Sequence, residues 1–247
     1  MDGSRIGSGW GVVVASALLA VGMVVAVFVG GQALRDVKPG RTITVKGFSE
    51  RPIVSDHAVW SGNLVARSST LAEGYDKLAG DLARVRRYLA ETGIPDEQVS
   101  VSPVSIGVRF RQTDNGMWTG EVDGYDLNQT VTVSSADVRA VERVAREITA
   151  LIREGVEVNS WSPSYYYTRL DDLKIEMLGE AAADARRRAE EIAAKSGSGV
   201  GELINASQGV FQITPAFSTE ISAGGMYDTS SIDKTIRAVV TIGFGVD

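Results

Sequence analysis

Two stretches of the chain run through the same succession of signals. A strand pattern ending in Ser68-Ser69 leads to a helix pattern, a stop at Gly93 and a strand holding Ser102-Pro103. A second, ending in Ser134-Ser135, leads to a helix pattern, a stop at Gly155 and a strand holding Ser162-Pro163. Read as a repeat, this gives two βαβ-like units in one α+β domain, with helices on one side of a mostly antiparallel sheet. Coincidence among common turn residues would produce the same succession, and the sequence leaves both readings standing.

The elements are read from periodicity. Three main helices have apolar residues at alternating spacings of four and three: Leu71, Tyr75, Leu78, Leu82, Val85 and Leu89; Val138, Val141, Ala145, Ile148 and Ile152; Ile175, Leu178, Ala182, Ala185, Ala189 and Ile192. Thr70 with Glu73, Ser134 with Asp137 and Thr168 with Asp171 suit capping boxes at their starts. Gly93, Gly155 and Gly197 suit left-handed stops. Elsewhere the period is two. Val104, Ile106, Val108 and Phe110 predict one half-buried strand; Tyr125, Leu127, Gln129, Val131 and Val133 predict another. Asp114-Asn115-Gly116 predicts the tight hairpin between them. Ala58, Trp60, Leu64 and Ala66 form an earlier strand face, and Ile236, Ala238, Val240, Ile242, Phe244 and Val246 a last one.

Ahead of this lies a different kind of segment. Trp10 to Val29 is uncharged and almost wholly apolar or small, and at about 1.5 Å per residue it spans roughly 30 Å, the thickness of a bilayer core. A cleaved signal peptide has an apolar run of only about 7–15 residues before a small-residue site, so residues 1–36 are expected to stay as a membrane anchor, with 37–247 as the extracytoplasmic domain. The expected location is the cytoplasmic membrane, single-pass, with the domain facing the periplasm or exterior; secretion after cleavage is the alternative. Gly22, Ala26 and Gly30 fall at i, i+4 and i+8, spacing that lets membrane helices approach closely or simply reflects small-residue content.

Composition narrows function by exclusion. The 247 residues contain no Cys and one His, His57, which removes thiolate nucleophiles, cysteine-built zinc sites and a histidine cage. A net charge of -6 argues against nucleic acid as partner. The run Arg186-Arg187-Arg188 is consistent with this. Consecutive helical residues fan about 100° apart, and Asp184, Glu190 and Glu191 stand three or four residues away as partners, so the run reads as a solvated face. The opposite face, Ala182, Ala185 and Ala189, suits close packing.

That helix, with Asp184-Ala185-Arg186, Arg188-Ala189-Glu190 and Ile192-Ala193 before a Gly stop and a strand, resembles the hallmark helix of the SIMPL-domain proteins of bacterial envelopes. Val45-Lys46-Gly47, Gly124-Tyr125 with Gln129 and Val131, and the final strand Ile236–Val246 agree, so the resemblance covers about residues 41–247. It implies an α+β domain, a secretion signal or anchor, large ring-like or channel-like homo-oligomers in some members, and links to oxidative stress. It implies no catalytic residues and no cofactor. Many relatives look like cleaved, secreted proteins, and here this chain departs from them.

Candidate sites are few. Asp56-His57 lacks a nearby nucleophile and reads as structural. Asp171, Asp172 and Glu176 are explained by a helix start, and no metal is assigned. Trp161 and Tyr165-Tyr166-Tyr167 form an aromatic cluster; alternation places Tyr165 and Tyr167 on one strand face, leaving Tyr166 to meet a partner. Pro215–Asp233 is as long as loops without structure of their own become, and such loops are often functional. With Phe217 and Tyr227 it completes a candidate oligomer or ligand interface. The chain is thus expected to act as an anchored, self-assembling envelope protein, its partners being further copies of itself and the bilayer. A small-ligand or peptide-binding module is the second reading and a carboxylate-based hydrolase the third.

Overall fold

The computed structural model describes residues 41–247, together with Ser16 and 21–23. Ala26 and Gly30 lie outside the described residues, as does most of the Trp10–Val29 run; Gly22 is helical. Among the described residues no helix is long and apolar enough to cross a membrane. The chain is α+β with mostly antiparallel sheets, and it divides into two compact units. The larger comprises Lys46–Ala185 and Ser207–Thr241; the smaller takes in 41–45, Arg186–Ala206 and Ile242–Asp247.

In the larger unit, strands β2 (His57–Ser68) and β5 (Trp118–Ser135) pair antiparallel from Ala58 opposite Ser135 to Ser68 opposite Tyr125. Helix α1 (Leu71–Glu91) leads from β2 to β3 (Val99–Val101), which pairs with β5. Helix α2 (Val138–Glu147) leads from β5 to β6 (Val158–Ser160), which pairs with β2. The order β3-β5-β2-β6 places each unit's second strand beside the other unit's first, the split βαβ arrangement. The flanking strands follow the same exchange, β4 (Ser105–Gln112) on β5 and β7 (Ser164–Tyr166) on β2. The repeated signals therefore mark two interlocked βαβ units.

One core lies between this sheet and the two helices. It holds Trp60, Leu64, Leu127, Val131 and Val133 from the strands, Leu78, Val85 and Leu89 from α1, and Val141, Val144 and Ile148 beyond. The Trp60 indole donates to Ser160 Oγ at 2.9 Å, and that hydroxyl donates to the Ala145 carbonyl at 2.7 Å, so the buried indole is satisfied and β6 is tied to α2. Helix α1 is set one step round from the expected face. Leu71 and Tyr75 are exposed, whereas Gly74, Leu78, Asp81, Val85 and Leu89 are buried. Asp81 is tolerated because Lys77 and Arg84 reach it at 2.5 and 2.7 Å. In the second helical stretch the chain tightens to a 3-10 turn after Glu147, so Leu151 is buried and Ile152 exposed.

The helix ends follow the sequence more closely than the starts. Thr70 caps α1 by accepting from Glu73 N, but Asp137 itself caps α2 through Ala140 N at 2.9 Å. Thr168 does not cap the third helix through Asp171. Its amide and hydroxyl both donate to Asp56, at 2.8 and 3.0 Å, which fastens the approach to that helix onto the turn entering β2. Gly93, Gly155 and Gly197 all have the expected positive φ. At the β4–β5 turn Gly116 alone has positive φ, and Thr113 N donates to the Met117 carbonyl, giving a three-residue loop in place of the two-residue turn.

A second sheet runs β1 (Thr42–Val54), β11 (Asp233–Val246), β9 (Gln212–Pro215), β10 (Met226–Tyr227), with β8 (Val200–Gln208) also on β11. Helix α3 (Leu170–Lys195) buries Leu173, Met177, Ala181, Ala185, Ala189 and Ala193, a spacing of four throughout. The expected face is thereby corrected: Ala182 is half-buried at its margin, and Ile175 and Ile192 are exposed, because a spacing of four turns by about 40° per step and the buried row winds round α3 where an alternating row would keep to one face. Within the larger unit Leu173 and Met177 meet Ile53, Ile213, Ile236 and Ala238. Closer still, a Cβ at Gly47 would stand 1.9 Å from the Ala181 carbonyl oxygen and 2.7 Å from Ala185 Cβ. Three α3 carboxylates then address edge strand β1. Asp184 accepts from Phe48 N at 3.0 Å, Glu180 from Ser49 Oγ at 2.6 Å, and Arg51 pairs with both Glu176 and Glu180. An edge amide that could recruit another strand is thus occupied. The Arg51 pairing holds both glutamates below the usual carboxylate range.

In the smaller unit Arg186, Arg187 and Arg188 are exposed; Arg186 pairs with Glu190 at 2.9 Å and lies over the Phe244 ring. Strand ends close it, with Val246 N donating to the Arg41 carbonyl and Asp247 N to that of Gly199. The two faces of α3 are expected to respond differently to substitution. Arg187→Gln should change unfolding free energy by no more than a few tenths of a kcal/mol. Ala185→Leu should cost about 1–3 kcal/mol by overpacking. Urea denaturation of the two variants measures the contrast.

Candidate interaction groove

The aromatic residues singled out in the sequence are separated by the fold. Tyr165 is buried in the first core, Tyr167 packs with Leu170 against the second, and the Arg169 guanidinium lies 5.6 Å from the Tyr167 ring centroid. Simple alternation fails because the strand ends at Tyr166. Tyr166 is half-buried, and its carbonyl accepts from Asp56 N at 2.9 Å. Trp161 is 53% exposed.

Around Tyr165 and Trp161 the surface is hollowed twice. One hollow, of about 310 Å³, is lined by Glu142, Ala145, Arg146, Ser160, Trp161, Ser162, Pro163 and Tyr165. The other, of about 390 Å³, is lined by Arg139, Glu142, Tyr165, Pro215, Ala216 and the 230–233 segment. Glu142 and Tyr165 belong to both, which makes one groove. Arg139, Glu142 and Arg146 share a face of α2 by their spacing of three and four. Glu142 accepts from Arg139 at 3.2 Å and from Arg146 at 2.9 Å, and Arg139 also approaches Asp233 at 3.8 Å. Burial pushes the Tyr165 phenol up, and the Glu142 charge adds to it. The groove offers the exposed Trp161 indole and the Arg139 and Arg146 guanidinium groups paired with Glu142, over a largely buried Tyr165, a lining suited to a polar ligand or a peptide.

The Pro215–Asp233 segment forms the far wall, and it is more ordered than a structureless loop. Gln212, itself buried, donates to the Ser222 carbonyl at 2.6 Å and accepts from Ser222 N at 3.2 Å. Strand β10 pairs parallel with β9, and Tyr165 N donates to the Thr229 carbonyl at 2.8 Å. Beneath it lies Lys234, 1% exposed, whose Nζ donates to Asp228 Oδ2 at 3.0 Å and to the Ser231 carbonyl. Asp228 also accepts from both Ser230 N and Oγ, at 2.9 and 2.6 Å, and from Ser231 N and Oγ. Burial opposes its ionisation, yet the hydrogen bonds from Ser230, Ser231 and Lys234 hold the carboxyl well below the usual range. In the same segment Phe217 is 99% exposed with φ of 64°, left-handed backbone that a phenylalanine rarely adopts. Ile221 and Tyr227 are also exposed.

Asp56 and His57 go to different partners, the first to Thr168 and the second to Ser134 Oγ at 2.8 Å. Among the described residues no three His, Asp or Glu side chains gather as a metal set would. The groove and its buried lock were not read from the sequence. One signal was present: Lys234 occupies the inward parity of the Ile236, Ala238, Val240 row, where a lysine demands a buried partner.

Fold and groove together define an α+β protein of two interlocked βαβ units with an open groove on its surface. The SIMPL profile, described as a protein of unknown function (DUF541), matches residues 43–244, and the chain belongs to that family. No curated protein matches the sequence. Among solved structures, the chain aligns to the ligand-free regulatory subunit of aspartate kinase from Thermus thermophilus at 15% identity and TM-score 0.20, covering 81% of this chain and 88% of that one. An uncharacterised conserved protein from Listeria innocua aligns at 9% identity and TM-score 0.20, covering 78% and 92%. Superpositions at that level carry no inference about this chain.

Proposed function

We propose that this protein is an envelope component held in the cytoplasmic membrane by residues 1–36, with 37–247 on the outer side, and that it acts by homo-oligomeric assembly as a ring or scaffold, in envelope or oxidative stress, without catalysis of its own. The observation that carries the assembly is the locked loop. A buried Lys234–Asp228 pair stabilises a segment in which Phe217 is 99% exposed on left-handed backbone and Ile221 and Tyr227 are exposed as well. Left-handed backbone and full apolar exposure together are features of a contact residue awaiting its partner.

The full chain in detergent is expected to be a multi-subunit particle by light scattering, and Phe217→Ser with Ile221→Ser to lower its mass at least twofold. A monomer at all concentrations would defeat the reading. Release of the chain from membranes by alkaline carbonate would defeat the anchor. A second reading, binding of a small ligand or peptide, is favoured by the groove at Glu142 and Tyr165. A monomer whose Trp161 fluorescence shifts with added peptide would support it.

A further inference from the structure

Beyond Tyr125, the last β5 residue paired with β2, the larger unit continues as β4 and β5 alone. The two faces of this overhang differ sharply. One is ionic and internally paired: Arg109 meets Asp126 at 3.1 Å and Asp123 at 3.5 Å, and Arg111 meets Glu121 at 2.8 Å. The other carries Ile106, Val108 and Phe110, with Val122 opposite Phe110; these residues are 55%, 48%, 43% and 48% exposed. Cross-strand partners share a face, so this row continues the core face of Leu127 and Tyr125 outward, past the point where helices cover it. Sequence alternation predicts a half-buried strand here. In the fold its apolar side meets solvent. Trp118 and Met117, at the tip, are 68% and 67% exposed.

We infer that this face is covered by the same face of a second copy, the two hairpins stacking about a two-fold axis; the inference rests on the assembly proposed above. A two-stranded ribbon is marginally stable alone and normally needs further strands or a packed layer over its apolar side. At these exposures the row presents on the order of 300–400 Å² of apolar surface, within the range a monomer carries as its largest patch. With Trp118, opposite Gln112 at the tip, it reaches about half of the roughly 800 Å² per partner in a stable interface. The occupant needs no charge, because the hairpin's arginines are satisfied on its reverse face, and an uncharged row is complementary to itself in a two-fold contact. Sheets stacked face to face lie about 10 Å apart, which brings one row onto the other. An anionic bilayer is the poorer occupant for a chain of net charge -6.

The absence of cysteine from the chain makes the test clean. Val108→Cys and, on the ionic face, Arg111→Cys are introduced singly into the full chain in detergent and treated with a short bis-maleimide. Efficient dimer formation by Val108→Cys and little by Arg111→Cys is the expected result. Val108→Asp with Phe110→Asp is expected to lower the particle mass at least twofold. If the wild-type chain is oligomeric, Val108→Cys fails to cross-link and the aspartates leave the mass unchanged, the hairpin contact is wrong and the assembly reading stands. A monomeric wild type sinks both. Protection of Val108→Cys from a water-soluble maleimide when the full chain is in phosphatidylcholine vesicles, with no cross-link and the mass unchanged by the aspartates, would assign the face to a membrane and overturn the inference. The Val108→Cys result decides the matter even if the aspartate variant misfolds.

Discussion

Gly47→Ala is expected to destabilise the protein by about 3 kcal/mol or more, the upper end of overpacking costs. The added methyl would stand 1.9 Å from the Ala181 carbonyl oxygen and 2.6 Å from Ala185 N. Both are helix backbone, so no rotamer change relieves the contact. Helix α3 would have to move away from β1, and the bonds from Phe48 N to Asp184 and from Ser49 Oγ to Glu180 would lengthen with it. Urea denaturation of the full chain measures the loss; a change below about 1 kcal/mol would show that the close approach is not required. The same geometry gives a physical reason for the Val-Lys-Gly signature, since any side chain at Gly47 would hold the helix off the edge strand.

Asp228→Asn should cost about 3–5 kcal/mol, because it leaves the Lys234 ammonium buried with no counter-charge. Replacing both partners, Asp228→Ala with Lys234→Met, should recover most of that, since removing a buried pair together avoids the unpaired charge. The sign of the pH effect follows from the direction of the shift. The folded-state pKa of Asp228 is depressed, so its contribution is fully present above the ordinary carboxylate value of 3.8 and is lost as pH falls through the folded value. Acid unfolding of the wild type should therefore steepen below about pH 4, and the Asn variant should lack that component. Equal pH dependence of the two, or a double variant as unstable as the single, would separate the lock from the loop's stability.

The element types could be read from the sequence because each depends on neighbours along the chain. The Gly93, Gly155 and Gly197 stops were legible from backbone conformation alone. The Thr70 cap was legible from one hydroxyl and the amide three residues on. Where partners were distant, local signals misled. Thr168 suits a cap, yet Asp56, more than a hundred residues away, takes both its amide and its hydroxyl. Ala182 satisfies an alternating helical row, but the contacts follow the winding i, i+4 row of Ala181, Ala185, Ala189 and Ala193. Of the candidate site, Trp161, Tyr165 and the Pro215–Asp233 loop were legible as unusual. That Arg139, Glu142 and Arg146 complete the groove was not, because nothing in a charged helical face tells which neighbour it will meet.

By itself the sequence determined the family, the order of helices and strands and the solvated character of Arg186-Arg187-Arg188, since periodicity, turn chemistry and i,i+4 charge spacing act over a few residues. The tertiary structure alone decided how the two βαβ units exchange strands, which lysine lies buried on which aspartate, and that an alternating strand at Ile106, Val108 and Phe110 ends with its apolar side uncovered. Alternation states which face a side chain takes; only the packing of distant segments states whether anything lies on that face.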